Sequence, residues 1–423
     1  MSLEFNLISS ENYCTYITDG THGTHSNQET GKYLLSAKDI LDGNVHIKDN
    51  SRIISEDDFN KIHKNYKLEN YDVLLTVAGT IGRTAIIKNY QNNYTFQRSV
   101  AIFKTNDKIK SLWLYYYLNS PIGKQIIKSL SKGTTQLILP LKDLRSLKIP
   151  VPKNISDQKK ILSILTDIDK KIEINKRINK NLEQLMKCIF EEWFVNFNYS
   201  NNISFKSSEL GEIPEFWNVK TLGDILNTLE SGKRPKGGIS EIDEGIPSIG
   251  AENILGLGRF DYSKNKLISH EFFNKLKKGI IEDQDVLLYK DGAQLGRKSL
   301  FMNGFPFDIC CINEHVFRLQ SNDEISQFYL YLWLDQEIMT NEIINLNSNS
   351  AQPGINQNDV KSLPIIVPEL EIMNRFTNIV SPMMNKIFDN ALEIKKLSNL
   401  RDTLLPKLMS GEIDVSEINY DLE

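Results

Sequence analysis

The stretch DQKKILSILTDIDKKIEINKRINKNLEQLMKCIFEEWFVNF, residues 157–197, decides the fold. A seven-residue period sustained over about five heptads is typical of a long helix that packs in a coiled coil. With a rise of about 1.5 Å per residue, a helix over 157–195 would span roughly 58 Å. Apolar residues and two asparagines recur along two adjoining rows and predict the coiled-coil seam: Ile161, Leu165, Ile168, Ile172, Asn175, Asn179, Leu182, Met186 and Ile189.

A second stretch with the same period lies near the end of the sequence. Asn175 and Asn390 occupy equivalent places in the two stretches, and an asparagine in a seam lowers stability but specifies register. Pro382 lacks a backbone donor, so we expect the second helix to kink or to begin there. The second seam is predicted from these residues: Phe376, Val380, Met383, Ile387, Asn390, Ile394, Leu397 and Leu404.

The segments between the helices are also related to each other. A shift of about 214–216 residues aligns YDVLLTVAGTIGR, from Tyr71, with QDVLLYKDGAQLGR, from Gln284, which has one extra residue. The same shift aligns TQLILPLKDLRSLKIPVP, from Thr135, with AQPGINQNDVKSLPIIVP, from Ala351. These ordered matches indicate an internal duplication. We therefore predict an α+β protein in which two globular domains (1–152 and 201–368) are separated by two long helices (153–200 and 369–423), paired as an antiparallel coiled coil with pseudo-two-fold symmetry.

Composition narrows the class of protein. The 423 residues are 40% hydrophobic and 25% charged, which is ordinary for a globular protein. No apolar run is long enough to span a bilayer, and the first residues lack the pattern of a secretion signal. The four cysteines show no metal-binding spacing, so we expect buried thiols, no metal site and a cytoplasmic protein.

Charge and motifs favour binding over catalysis. The net charge is −4, but residues 259–298 hold nine Lys and Arg, whereas 301–350 hold one against seven acids. Such segregation suits a DNA-binding face with an acidic back, or simply a solvated surface. There is no phosphate-binding GxxxxGK[ST] loop, no GxSxG and no methyltransferase motif. We therefore expect a non-catalytic binding protein.

Three motifs in this order resemble the specificity (S) subunits of Type I restriction–modification systems. The motifs are LPLKDLRSLKIPVP with the heptad stretch after it, LGEIPEFWNVKTLGDI from Leu210, and LRDTLLPKLMSGEIDV from Leu400. The resemblance covers almost the whole chain, although the Pro214–Trp217 motif has no clear copy near residue 1. It implies two target-recognition domains that each read half of a bipartite double-stranded DNA sequence, and a coiled coil that sets the spacer. The coiled coil would also dock two modification (M) subunits.

The same resemblance implies how the work is divided within the complex. The M subunits would bind S-adenosylmethionine and methylate adenine at N6. Restriction (R) subunits, joined through the M2S core, would use ATP and Mg for translocation and cleavage. The S subunit itself would hold no cofactor and catalyse nothing.

The candidate DNA contacts are polar side chains in loops, because base edges and phosphates are read by donors, acceptors and cations. Arg83 and Arg297 align in the repeat beside a glycine that lets the backbone approach a phosphate. Gln136 and Gln352 also align, which suits a role independent of base sequence. The candidates are Asp19, Thr21, His22, Thr80, Arg83, Arg98, Thr134, Thr135 and Gln136 in the first domain, and Ser231, Lys233, Arg234, Lys236, Lys290, Asp291, Gln294, Arg297, Lys298 and Gln352 in the second.

Two alternatives remain open from the sequence. The chain could be the specificity subunit of a Type II system that cuts on both sides of its site. It could also be a coiled-coil adaptor whose repeated domains bind proteins instead of DNA. In the favoured interpretation the net charge of −4 leads us to expect weak DNA binding by the isolated chain and tight binding only in the complex.

Overall fold

The computed structural model describes residues 3–133, 137–200, 203–235, 238, 242–347 and 354–418. The chain divides into two compact units. The first unit comprises Met1–Lys170 with Leu397–Glu423, and the second comprises Lys171–Lys396. Each unit therefore contains part of both long helices.

The first unit is built around a four-stranded antiparallel sheet with the order β2-β10-β7-β8. A three-stranded sheet, β6-β3-β9, has β3 parallel to β9, and β1 pairs with β11. Its elements are β1 (Phe5–Ser9), α1 (Ser10–Tyr13), β2 (Tyr16–Asp19), β3 (Lys32–Leu35), β4 (Ile40–Leu41), β5 (Asn44–Val45), β6 (Ile53–Ile54), α2 (Glu56–Asn65), β7 (Val73–Thr76), β8 (Thr84–Ile86), β9 (Tyr94–Phe96), β10 (Val100–Lys104), α3 (Lys108–Asn119), α4 (Pro121–Leu130), α5 (Leu141–Ser146), β11 (Lys148–Pro152) and the long helix α6 (Ile155–Phe194).

The second unit repeats this order of elements, except that the pair β4–β5 has no counterpart among its described strands. Its four-stranded sheet is β15-β21-β18-β19, its three-stranded sheet is β17-β16-β20, and β14 pairs with β22. The hairpin β12–β13 precedes β14 and has no counterpart among the described residues before β1. The elements are β12 (Phe205–Ser208), β13 (Gly211–Pro214), β14 (Asn218–Thr221), α7 (Leu222–Ile225), β15 (Leu226–Ser231), β16 (Ile246–Ile249), β17 (Leu267–Ile268), α8 (His270–Asn274), β18 (Asp285–Tyr289), β19 (Lys298–Phe301), β20 (Cys311–Ile312), β21 (Val316–Ser321), α9 (Gln327–Asp335), α10 (Glu337–Asn345), α11 (Gln357–Lys361), β22 (Pro364–Val367) and α12 (Leu370–Ser410).

Equivalent core contacts show that the two units are copies of one fold. On α3, Trp113 and Tyr117 donate side-chain hydrogen bonds of 2.8 Å to carbonyl oxygens of β11. On α9, Tyr329 and Trp333 donate bonds of 2.7 and 3.0 Å to the equivalent carbonyls of β22. The tryptophan and the tyrosine have exchanged places while both bonds are kept. The predicted duplication and the α+β class are confirmed.

The long helices run antiparallel within each unit. In the first unit, Lys160 near the start of α6 bonds to Ser416, whereas Asp169 farther along pairs with Arg401. In the second unit, partner positions on α12 likewise fall as positions on α6 rise, as Trp193 packs on Phe376 whereas Asn175 bonds to Glu393. All the predicted seam residues are buried or partly buried; the partly buried ones are Leu182, Ile189, Met383, Ile394, Leu397 and Leu404.

Two expectations from the sequence need correction. Helix α12 begins at Leu370, twelve residues before Pro382, and continues through it to Ser410. Pro382 is exposed, so water can hydrate the carbonyl that its missing N–H leaves free. Cys14, Cys310 and Cys311 are buried as expected, but Cys188 lies exposed on α6. Among the described residues, no helix combines the length and apolarity needed to cross a bilayer.

Candidate nucleic-acid interface

The candidate interface of the first unit is one edge of its four-stranded sheet. Strands β2 and β7 end at this edge, and β10 and β8 begin there, because neighbouring strands are antiparallel. The loops that carry Asp19 to His22, Thr80 to Arg83, and Arg98 therefore emerge side by side. The backbone N–H of Arg98 donates to the carbonyl of Thr21 at 3.1 Å and ties two of these loops together.

Short hydrogen bonds order the loop after β2. His22 Nε2 lies 2.9 Å from the Asp19 carboxylate, and the His22 side chain is 65% exposed. His25 Nε2 lies 3.0 Å from Thr21 Oγ1, and His25 Nδ1 lies 3.3 Å from the Asp58 carboxylate on α2. These bonds hold His22 at the surface, where its imidazole can face a ligand.

The turn between β7 and β8 presents Thr80 and Arg83 beside an open cavity. Thr76 Oγ1 accepts a 2.9 Å bond from the Arg83 backbone N–H and donates to the Thr80 carbonyl, which fixes the turn. The Arg83 guanidinium makes no ion pair with any carboxylate in the described part of the chain. The first cavity, of about 620 Å³, is lined by Asp42, Gly43, Gly79, Ile81, Gly82, Arg83, Thr84, Asn119, Lys124, Ile127, Lys128, Ser131 and Leu137.

The second unit presents the same edge with different side chains. Its β15 and β18 end where β21 and β19 begin. Ser231 is the last residue of β15, and exposed Lys233 and Arg234 follow it. Arg234 lies 3.5 Å from the Glu314 carboxylate. Gly232 lies against the carbonyl of Ile312, as Gly20 does against the carbonyl of Phe96, so the loops after β15 and β2 occupy equivalent places.

Charged and aromatic groups fix the loop after β18. His315 Nδ1 lies 2.8 Å from the Asp291 carboxylate. The Lys290 ammonium lies 3.6 Å from the same carboxylate and 5.3 Å from the centre of the Phe317 ring. Asp291 is therefore held by two neighbours and is less free to meet a base than the sequence implied.

The turn between β18 and β19 borders a second cavity, of about 540 Å³. Gln294 and Arg297 are exposed, but Lys298 is buried and its ammonium donates to Thr340 Oγ1. Desolvation lowers the pKa of Lys298 to about 8. Lys298 is thus not the exposed contact that the sequence suggested. The second cavity is lined by Glu183, Lys187, Ile254, Leu255, Gly256, Arg259, Gln294, Leu295, Gly296, Arg297, Lys298, Tyr331, Asp335 and Thr340.

Some candidates cannot be placed, and some neighbours were missed. Thr134, Thr135, Gln136, Lys236 and Gln352 lie outside the described residues. Three further groups at these edges were not among the candidates from the sequence: Lys124, Lys128 and His315.

These features define a class of protein. The chain carries two copies of one α+β fold, each followed by a long helix, with polar loops gathered at the same sheet edge in both copies. The model of the Type I restriction modification DNA specificity domain matches residues 17–184 and 214–398. The chain therefore belongs to this family and carries its domain twice, which removes the support for a non-DNA adaptor.

Known proteins are similar over most of the chain. The Type I restriction enzyme MjaIX specificity subunit of Methanocaldococcus jannaschii is 29% identical over 82% of this chain and 78% of its own. The HindI specificity subunit of Haemophilus influenzae is 26% identical over 78% of this chain and 84% of its own. A crystal structure of a Type I S subunit from M. genitalium aligns with 96% of each chain at 18% identity and a TM-score of 0.53, which shows a shared fold.

Proposed function

We propose that this chain is the non-catalytic subunit that selects the DNA sequence in a Type I restriction–modification complex. Each unit would read one half of a bipartite target with the loops at its sheet edge. The proposal is carried by one observation: the same specificity domain occurs twice, with different side chains on equivalent loops. His22 follows Gly20 by two residues in the first unit, whereas Arg234 follows Gly232 by two residues in the second.

The difference between these loops supports the proposal that the two units recognise different half-sites. An imidazole and a guanidinium offer different donors and geometries to base edges, so they favour different bases. The recognition domains in this proposal are residues 1–152 and 201–368. The helical segments 153–200 and 369–423 would set the distance between the two half-sites.

The partners are proposed from the family. Two M subunits would dock on the long helices, bind S-adenosylmethionine and methylate adenine at N6. R subunits would join through the M2S core and use ATP and Mg. Exposed apolar side chains on α6, Ile174 and Leu185, support a role of this helix in docking, because exposed apolar groups often mark interfaces.

Mapping of methylated adenines in the host genome, with and without the gene, tests the proposal. We expect a motif of two short elements separated by a fixed spacer, present in the parent and absent from the deletion strain. An identical methylation map in both strains would contradict it. Digestion of DNA by the purified complex distinguishes a Type I system from the Type II alternative. A Type II enzyme that cuts on both sides of its site would release a fragment of fixed length.

A further inference from the structure

The two cavities described above lie at equivalent places in the two units. Each opens between a glycine-bounded turn of the four-stranded sheet and the second helix of a helix pair, α4 in the first unit and α10 in the second. Gly82 and Gly296 close these turns with positive φ angles of 91° and 86°, a backbone conformation that favours glycine. An arginine follows each glycine, so Arg83 and Arg297 lie at equivalent places beside the cavities.

A lysine and a threonine face each cavity from exchanged positions. In the second cavity, Lys298 on β19 donates to Thr340 on α10. In the first cavity, the position on β8 equivalent to Lys298 is Thr84, and the position on α4 equivalent to Thr340 is Lys124. At this pair of positions each cavity thus has one ammonium and one hydroxyl, although neither residue type is retained at either position.

The charge of both cavities favours an anion. Three cations and one carboxylate line the first cavity, and four cations and two carboxylates line the second, which leaves two net positive charges in each. In the second cavity the carboxylates are already engaged, since Glu183 pairs with Arg259 and Asp335 lies 2.8 Å from Lys187. Arg297 and Lys298 make no ion pair with any carboxylate in the described ranges.

A buried hydroxyl also points to a ligand. Thr84 is 5% exposed, and its Oγ1 has no hydrogen-bond partner among the described residues. A buried hydroxyl without a partner costs free energy, and rotation about χ1 toward the first cavity would let a phosphate oxygen accept its hydrogen bond.

We infer that each cavity binds one backbone phosphate of the DNA half-site read by its unit. The ligands would be Arg83, Lys124 and Thr84 in the first cavity, and Arg297, Lys298 and Thr340 in the second. This inference rests on the proposed function and adds to it one phosphate contact in each unit that does not depend on the DNA sequence. Because the same groups recur in two units with different reading loops, they position the duplex and leave base selection to those loops.

The test measures DNA affinity of the complete methyltransferase complex as a function of salt. Two duplexes are compared: one carries the mapped methylation target and one has a random sequence. The variants are Arg83→Gln, Arg297→Gln, Lys298→Thr, and Lys298→Thr with Thr340→Lys, which copies the first cavity into the second. Lys361→Gln is the matched control. Lys361 lies beside Gly223, close to the start of β15, and therefore at the end of the sheet away from the second cavity.

We expect each single cavity variant to weaken binding about tenfold on both duplexes. Each should also reduce the slope of log affinity against log salt by about one, which is the signature of one lost phosphate contact. The exchange double variant should recover the slope, and Lys361→Gln should match the parent complex.

Unchanged salt slopes for Arg83→Gln and Arg297→Gln would overturn the inference, as would losses confined to the duplex with the target. Both arginines are at least partly exposed, so these variants test the inference even if Lys298→Thr disturbs folding. Failure of the parent complex to prefer its mapped target would contradict the proposed function instead.

Discussion

Asn390 donates a 2.8 Å hydrogen bond from Nδ2 to Oδ1 of Asn179 inside the seam of the second unit. Asn179 in turn donates to the carbonyl of Ile387 at 3.0 Å, and Asn175 donates to Glu393 at 2.7 Å. Asn390 is fully buried. These bonds fix the register of the two helices, because a sliding helix would leave buried amides without partners.

Removal of one asparagine should therefore cost more than removal of both. Asn390→Leu leaves the Asn179 carbonyl group without its donor, and we expect a loss of about 1–3 kcal/mol in the free energy of unfolding. Asn179→Leu with Asn390→Leu should lose much less, because no unpaired amide remains. Urea denaturation of the parent, both single variants and the double variant measures this. Additive losses would show that the two amides are not coupled.

Lys298 should give the folded chain a specific dependence on pH. Burial lowers the pKa of its ammonium to about 8, below the ordinary 10.5, so the unfolded chain binds more protons between these values. The free energy of unfolding should therefore rise with pH over this interval, by about 3 kcal/mol relative to Lys298→Met. Denaturation of both proteins from pH 7 to 10.5 provides the comparison. A constant difference would mean that Lys298 titrates normally.

Gly20 and Gly232 should tolerate no larger residue. A Cβ at either position would overlap a backbone carbonyl, that of Phe96 or that of Ile312. We expect Gly20→Ala and Gly232→Ala each to lower the free energy of unfolding by about 1–3 kcal/mol, since backbone must shift. Gly23→Ala, in the same loop as Gly20, is the control, because the atoms nearest to its Cβ are side-chain atoms of His25 and Thr21 at 3.1 Å or more, and not backbone. Equal denaturation midpoints for the Gly20→Ala and Gly23→Ala proteins would count against this packing.

The fold could be predicted from the sequence because its signals are local and repeated. The heptads of α6 and α12 depend only on spacing along the chain, and the glycine turns before Arg83 and Arg297 align by identity. These patterns predicted the long helices, the duplication and the α+β class. The prediction of a kink or a helix start at Pro382 was wrong, because it considered the effect of a single proline. Packing along all 41 residues stabilises α12 as a whole.

The details of the site depend on contacts between distant segments. Asp291 meets His315 only because β18 and β21 are neighbours in the sheet, and no spacing in the sequence reveals this pair. The sequence alone suggests that Lys298 is an exposed cation, whereas in the folded chain β19 and α10 bury it. The exchange of Lys and Thr across the cavities is invisible to alignment, because identity is lost at both positions while the pair is kept.

The isolated chain should bind DNA weakly. Its net charge of −4 gives little long-range attraction to a duplex, and positive groups are confined to local clusters. We expect gel-shift titration at moderate salt to show tight binding only after M subunits are added. Tight, sequence-specific binding by the chain alone would refute this expectation.

The most direct test of the central claim is a map of methylated adenines in hosts that carry His22→Gln or Arg234→Gln. Both side chains are exposed, at 65% and 54%, so the fold should survive either change. If each unit reads its own half-site, His22→Gln will relax or change one half of the bipartite motif, and Arg234→Gln only the other half. The spacer should stay the same in both strains. Changes by both variants in the same half, or in both halves at once, would contradict the account.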